Sequence, residues 1–403
     1  QRFTIFNTIM KRKGIFFLTS FHDLEPFYVA NKYQLKLFSN KFKNVFIINC
    51  ENLKTFNKEI SFPKNIKSKF PKKIKFANPK NLSEFDELCK KNKPLIVNNI
   101  GRGYEFFKLL FFLKKKKLPQ VLIGHIGNIQ FSTYYWHKIN FKIFIFFFTR
   151  FLPRFITRLF VILNFFSPID VRFVSNKHFY NSYKNNLKRT FRISSYYKEI
   201  VLVKSKVFDN FNKYKEKLSQ KHILLLDMQP EYRSMQDIKI LDKKLIKNHY
   251  NELNNFLFSL SKKFKKKVLV SIHPAYDLKK TQQRFKKFKV VKFKTKELIK
   301  SAFLVLFFDT SAIVPAFILK KRVICLRAKL FKGKRYNSDL YKELLKLKSI
   351  RIDKKIDFGK RKFLKDLDNR TKFYKQYLNN YTSSNLNLSG TESIIKYIKK
   401  RYF

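Results

Sequence analysis

The chain has 403 residues, 45% of them hydrophobic; at about 100–200 residues per domain this reads as two domains with sizeable cores and excludes one small domain. Eight glycines, eleven prolines and no low-complexity tract or short-period repeat exclude fibrous, disordered and solenoid chains. The formal charge of +62, from 89 Lys+Arg against 27 Asp+Glu, suits nucleic acid or an anionic membrane. Lysine is spread along the whole chain, however, and is abundant together with Asn, Ile, Phe and Tyr, the products of AT-rich codons. Base composition therefore competes as the explanation, and nucleic-acid binding is disfavoured in the absence of zinc-finger spacing, an RNP-type motif or a basic region leading into heptads.

From the first residues onward, short apolar runs alternate with amphipathic stretches, as in βαβ units on a parallel sheet. Ile15–Leu18, Val45–Ile48, Leu95–Asn98 and Val121–Ile123 read as strands, with Val171–Val174 and Ile200–Val203 as candidates for later strands of the same domain. Ile15–Leu18 is too short to be the apolar core of a signal peptide. Glu25–Phe42 and Tyr104–Lys116 have helical spacing; in the second, Phe106, Leu109, Leu110 and Leu113 share a face and a lysine block closes the helix, where cations suit its dipole. Cys50, Cys89 and Cys325 are far apart, odd in number and without histidines at metal spacing. Neither a disulfide framework nor a zinc site is expected, and a reducing cytosol fits.

Segment 141–166, FKIFIFFFTRFLPRFITRLFVILNFF, is the most hydrophobic of the chain. Arg150, Arg154 and Arg158 divide it into uncharged runs shorter than the ~20 apolar residues that a spanning helix needs. Their four-residue spacing puts them on one side of a helix, which fits a basic amphipathic helix in a membrane interface and equally a core helix whose arginines reach solvent or a phosphate.

Further on, His222–Leu226 is a strand ending at Asp227, and Leu241–Phe264 is a long helix with Leu245, Leu253, Phe256, Leu257 and Leu260 inward. Val268–Ile272, Val290–Phe293, Phe303–Phe308 and Val323–Leu326 follow as strands. The alternation predicts an α/β fold of two Rossmann-like domains with a cleft between them: 1–210, which carries the 141–166 segment, 211–370, and a helical Lys-rich tail, 371–403.

Ligands of such sheets lie at the carboxyl ends of the strands. Two loops stand there: His273-Pro274 after VLVSI, and Asp309-Thr310-Ser311 after FLVLFF. Each precedes a predicted helix, so backbone N–H groups, two hydroxyls and an imidazole could meet a phosphate; a plain turn and a plain helix cap explain the same residues. In the first half, His125 in VLIGHIGNIQ sits between Gly124 and Gly127 at a strand end. It is either a base for an acceptor hydroxyl or a loop hydrogen-bonding group. Arg102 in NIGRGYEF also lies between glycines and fits a phosphate contact or a solvated role alike.

The succession LLLDMQ, a long helix, VLVSIHPAYD and VVKFKTKELIKSAFLVLFFDTSAIVPAFILKKRVICL resembles the C-terminal domain of GT-B bacterial surface-polysaccharide transferases. It is similar in particular to the sialyltransferase, polysialyltransferase and glycerophosphotransferase-like groups that pair a His-Pro motif with a later Ser/Thr pair. The resemblance implies that His273, Pro274, Thr310 and Ser311 hold a cytidine nucleotide. Ile313 to Leu319 lacks the ribose-binding Glu of many UDP-sugar enzymes, and the acidic base of the sialyltransferases is not recognisable, which leaves His125 as the candidate base. The expectation is a cytoplasmic enzyme, peripheral on the inner membrane, of surface polysaccharide or lipopolysaccharide synthesis. It would move a sugar from a nucleotide-linked, CMP-type donor to a glycan or lipid-linked acceptor on an anionic membrane surface, with no metal and no cofactor required. The alternatives are a polyol-phosphate transferase of the same fold and a noncatalytic nucleotide- or nucleic-acid-binding protein.

Overall fold

Gly14–Thr19 (β1) is apolar except at its ends and buried at every position, as expected of a central strand in a parallel sheet covered on both faces. The computed structural model describes residues 12–19, 24–53, 70–100, 106–123, 156, 159–177, 180–181, 197–209, 220–228, 243–273, 276–285, 287–308, 310–331, 345–354 and 359–403. These form two α/β units: one from residues 12–123, 156–209 and 383–403, the other from 220–382.

In the first unit β1 is followed by α1 (Leu24–Lys41), β2 (Val45–Asn49), β3 (Ile74–Ala77), α2 (Leu82–Asn92), β4 (Pro94–Asn98), α3 (Phe107–Lys115), β5 (Gln120–Ile123), β6 (Ile169–Val174), β7 (Tyr197–Leu202) and the short α4 (Lys206–Asp209). The described strands pair in parallel in the order β3-β2-β1-β4-β5-β6-β7. One face of this sheet packs on α1, with Leu35, Phe38 and Phe42 against Phe17, Ile47 and Val97. The other packs on α2 and α3, with Phe85, Cys89, Leu109 and Leu113 against Phe16, Ile48 and Ile96. The predicted inward face of α3 is observed: Phe106, Leu109, Leu110 and Leu113 are all buried.

The second unit contains β8 (His222–Leu226), α5 (Lys243–Phe264), β9 (Lys267–Ile272), α6 (Leu278–Arg284), β10 (Lys289–Lys292), α7 (Thr295–Ser301), β11 (Ala302–Phe307), α8 (Val314–Ile318), β12 (Val323–Arg327), β13 (Lys348–Arg351), α9 (Lys360–Arg370) and α10 (Tyr374–Thr382). Its described strands are also parallel, in the order β10-β9-β8-β11-β12-β13. On α5 the buried positions Leu253, Phe256, Leu257, Leu260 and Phe264 recur at helical spacing. Leu245, expected inward, is instead 51% exposed, because Ile246, His249 and Tyr250 take the inner side of that first stretch.

The last helix, α11 (Gly390–Tyr402), belongs to the first unit, whereas α10 belongs to the second. Through Ile394, Ile395, Ile398 and Tyr402, α11 joins the core that α1 covers. Its N-terminus is fastened by Asp209, a buried carboxylate that accepts from the Gly390 N–H at 3.0 Å, the Thr391 N–H at 3.0 Å and the Thr391 hydroxyl. Of the hydrophobic segment 141–166, residue 156 and residues 159–166 are described, and Arg150, Arg154 and Arg158 lie outside the described residues. Val161 and Phe166 are buried against Leu110, while Leu159, Ile162, Leu163, Phe165 and the neighbouring Phe111 are exposed. Among the described residues no helix is long and apolar enough to cross a membrane.

Candidate functional site

Parallel pairing sends every strand's carboxyl end to the same edge, and in each unit the order of the strands reverses beside the first strand: between β1 and β4, and between β8 and β11. Such reversals open the crevice where doubly wound sheets bind ligands. In the second unit the register pairs Leu226 with Ser271, Ile272 with Lys292, and Leu226 with Phe307. The residues that come next in chain, Asp227, His273, Phe293 and Phe308, therefore line one edge.

His273 follows β9 directly. Its carbonyl accepts the Tyr276 N–H at 3.0 Å and its ring lies 5.4 Å from that of Tyr276. The side chain reaches solvent, yet the protein packed about it and the charge of Lys292 pull its pKa below the ordinary imidazole value. Burial likewise lowers the pKa of Lys296 in the first turn of α7, with Glu297 pulling the other way. Ser271 and Thr295 share a 2.7 Å hydrogen bond that ties the end of β9 to the start of α7. Between these elements Phe293 has φ 66°, a conformation that costs a bulky residue of order 1–3 kcal/mol and that clusters at ligand-binding edges.

Thr310 follows β11 and is half-buried. Its hydroxyl accepts the Ala312 N–H at 3.2 Å, and its carbonyl accepts the Ile313 N–H at 3.4 Å, so the loop closes into a turn over Ser311–Ile313. Since β8 lies between β9 and β11, His273 and Thr310 stand on the two loops that flank the end of β8. That end is Asp227, 5% exposed, whose N–H donates to the Ser271 carbonyl at 2.9 Å. Pro274, His125 and Arg102 lie outside the described residues, as does Asp309; Ser311 is described in its backbone alone. Asp209 stands with the first unit and caps α11, a structural role.

The corresponding edge of the first unit carries polar residues that the sequence reading passed over. Thr19 and Asn49 are in register, Leu18 pairs with Asn98, and all three polar side chains are buried. Asn49 Oδ1 accepts the Glu51 N–H at 3.1 Å and Asn98 Nδ2 donates to Gln120 Oε1 at 2.9 Å, whereas the Thr19 hydroxyl has no partner among the described residues. The pattern was visible in FFLT, FIIN and LIVN, three apolar runs that each close on a hydroxyl or an amide. In the second unit Ser271 interrupts VLVSI in the same way.

Solved structures share this fold over nearly the whole chain. UDP-GlcNAc 2-epimerase from Neisseria meningitidis, bound to UDP-GlcNAc, superposes with a TM-score of 0.52 at 11% identity, over 96% of this chain and 99% of that one. The calicheamicin glycosyltransferase CalG4 gives 0.51 at 11%, over 97% and 98%, and the wall teichoic acid polymerase TagF 0.50 at 12%, over 97% and 89%. The chain has the GT-B fold. No protein-family model matches the sequence, and no curated protein matches it. In this GT-B chain the described residues contain no group of three His, Cys, Asp or Glu side chains that could hold a metal ion, and Cys50, Cys89 and Cys325 are buried and not joined in disulfides.

Proposed function

We propose that the chain is a glycosyltransferase-like enzyme that moves a sugar from a nucleotide-activated donor to an acceptor hydroxyl in surface polysaccharide or lipopolysaccharide synthesis. One observation carries this reading: His273 and Thr310 stand on the loops flanking β8 at the carboxyl edge of the second sheet, with Lys292 near His273 and Lys296 in the first turn of α7, next to the Thr295 that bonds Ser271 of β9. An imidazole, a hydroxyl and two ammonium groups at one strand edge suit a leaving phosphate, as do the backbone groups of the turns that hold them. Pro274 and Ser311 belong to the same two loops. The superposed epimerase is bound to UDP-GlcNAc, and the sequence resembles groups that use cytidine nucleotides; a pyrimidine nucleotide is common to both. Attack of the acceptor oxygen on the anomeric carbon breaks the carbon–oxygen bond to the donor phosphate. The bonding pair leaves on the phosphate, and the acceptor proton passes to a base, the role we assign to His125, with Arg102 as a further phosphate contact.

Likeness to the wall teichoic acid polymerase favours a second reading, in which the transferred group is a polyol phosphate. We further propose peripheral attachment of a cytoplasmic protein to an anionic membrane face, supported by the exposed Phe111, Leu159, Ile162, Leu163 and Phe165 beside Lys108 and Lys114–Lys117.

Calorimetry with CMP, CDP, UMP and UDP tests the donor site. His273→Ala and Thr310→Ala should each weaken the best nucleotide by about 1–3 kcal/mol, roughly 5- to 150-fold. His125→Ala should leave that affinity intact and lower turnover by about 10²–10⁴ once a donor is found. Tight binding of nucleic acid with no binding of any nucleotide would overturn the enzyme reading.

A further inference from the structure

The opposite edge of the first sheet, where its strands begin, carries a feature that donor and acceptor binding leave unused. A groove of about 650 Å³ opens there between the residues that lead into β1, the loop before β2 and the ends of α1 and α11. Its charged lining consists of Arg12, Lys13, Lys41, Lys43 and Lys399, with no Asp or Glu side chain among the lining residues. None of these five cations forms an ion pair among the described residues.

Lys41 and Lys399 lie in the last turns of α1 and α11, where the negative end of a helix dipole favours a cation. Arg12, Lys13 and Lys43 lie outside any helix, and that account does not reach them. Arg12 is moreover half-buried, and its loss of water lowers its pKa against the pull of Asp170 and Tyr402. Like charges gathered around one cavity with no carboxylate in its lining repel one another, and a polyvalent anion relieves that repulsion.

The walls are held in place without a ligand. The Arg12 N–H donates to the Tyr402 carbonyl at 3.0 Å, the Ile15 N–H to the Asn44 carbonyl at 2.9 Å, and Asn44 Oδ1 accepts from Lys75 Nζ at 3.2 Å, bringing a sixth cation to the rim. Phe42 and Phe403 form an apolar floor with ring centroids 4.9 Å apart, and the Lys399 ammonium lies 5.6 Å above Phe42. Such a floor strengthens attraction between the cations and an anion by excluding water. A volume within the ~300–1,000 Å³ range of ligand sites exceeds what one phosphate fills.

We propose that this groove binds an anion carrying two or more phosphate groups, either free in solution or displayed as the headgroup of a lipid surface.

The test uses the full chain in the His273→Ala background, which weakens phosphate binding at the proposed donor loops, and compares groove and control pairs within that background, so that a failure of that reading leaves this one testable. Inorganic tripolyphosphate is the probe, titrated by calorimetry into that chain, into Lys13→Glu/Lys43→Glu and into Lys360→Glu/Lys362→Glu, which alters charge equally on the exposed start of α9. The expected result is saturable binding that the groove pair weakens at least about tenfold and the control pair less than about twofold. The neutral pair Lys13→Gln/Lys43→Gln should fall in between, and urea unfolding of each variant verifies that the fold is kept. Competition then separates the sources: vesicles bearing bisphosphorylated headgroups displace tripolyphosphate if a lipid is the ligand and fail to do so if the ligand is free, both in keeping with the proposal. Equal losses in groove and control pairs, or the absence of saturable binding, would overturn it.

Discussion

Burial of His249 makes the stability of the second unit depend on pH in a way that one substitution can isolate. The imidazole lies on the inner side of α5, 3% exposed, between the rings of Tyr250 and Phe308, each 5.4 Å away. Loss of water pulls its pKa from 6.5 down to about 4. The unfolded chain therefore takes up a proton near pH 6.5 while the folded one stays neutral, so the contribution to stability is complete above pH 6.5 and is lost as pH falls toward 4. At about pH 4.5 the unfolded form gains roughly two pH units of protonation free energy that the folded form does not share, a loss of about 2.5 kcal/mol. His249→Phe keeps the ring contacts and removes the proton site. Urea unfolding followed at about pH 7.5 and about pH 4.5 should show the wild type losing about 2.5 kcal/mol more than the variant, the other titrating groups cancelling in the difference. Parallel losses in the two proteins would show that His249 is solvated, contrary to its place in the core.

Two further outcomes follow from packing and surface chemistry. Asp209→Ala leaves the Gly390 and Thr391 donors buried without their acceptor and should cost about 3 kcal/mol in urea unfolding, with Asp209→Asn costing less because one acceptor oxygen remains; an alanine effect below about 0.5 kcal/mol would refute the capping role. Sedimentation with vesicles should fall for Phe111→Ser/Leu163→Ser with any anionic lipid, and for Lys114→Glu/Lys115→Glu at low salt above all, since each basic residue near such a surface contributes about 1 kcal/mol; equal binding to neutral and anionic vesicles by all three proteins would remove the electrostatic part.

The sheets were legible because their central strands are the chain's most continuous apolar runs. FFL, VFII, LIV, ILLL, VLV and FLVLF became β1, β2, β4, β8, β9 and β11, buried on both faces except in β9, where Lys267 is exposed and Leu269 partly so. Two edge strands, β3 and β13, were not identified, since IKFA and KSIR mix charge with apolar residues and present only one neighbour to pair with. α2 was also missed, although Asn81 and Glu84 stand at capping-box spacing: Asn81 Oδ1 accepts the Glu84 N–H at 3.0 Å and the Glu84 carboxylate accepts the Lys80 N–H at 2.8 Å. Its apolar residues are few and interspersed with charge: only Phe85 and Cys89 are buried before Asn92, with Leu82 and Leu88 partly so.

The candidate site was legible to a different depth, for a reason that lies in strand order. Position after an apolar run singles out a loop, so His273 and Thr310 could be chosen from sequence. Nothing local tells which strands are neighbours, because that depends on pairings between residues far apart in the chain, such as Leu226 with both Ser271 and Phe307. Those pairings insert β8 between β9 and β11, which separates the two chosen loops by one strand and puts the buried Asp227 between them. They also bring Lys292 to His273, a relation that spacing along the chain does not disclose. On the proposed reading a nucleotide phosphate sits toward the outer side of the edge, where Lys292 and Lys296 carry positive charge and His273, its pKa lowered, offers a neutral N–H donor. The Asp227 carboxylate, deeper in the sheet, suits hydroxyl donors better than a phosphate. An Asp227→Asn variant should accordingly leave pyrophosphate binding nearly unchanged while weakening a nucleoside diphosphate; weaker binding of both by the same factor would mean that Asp227 only holds the loops in place.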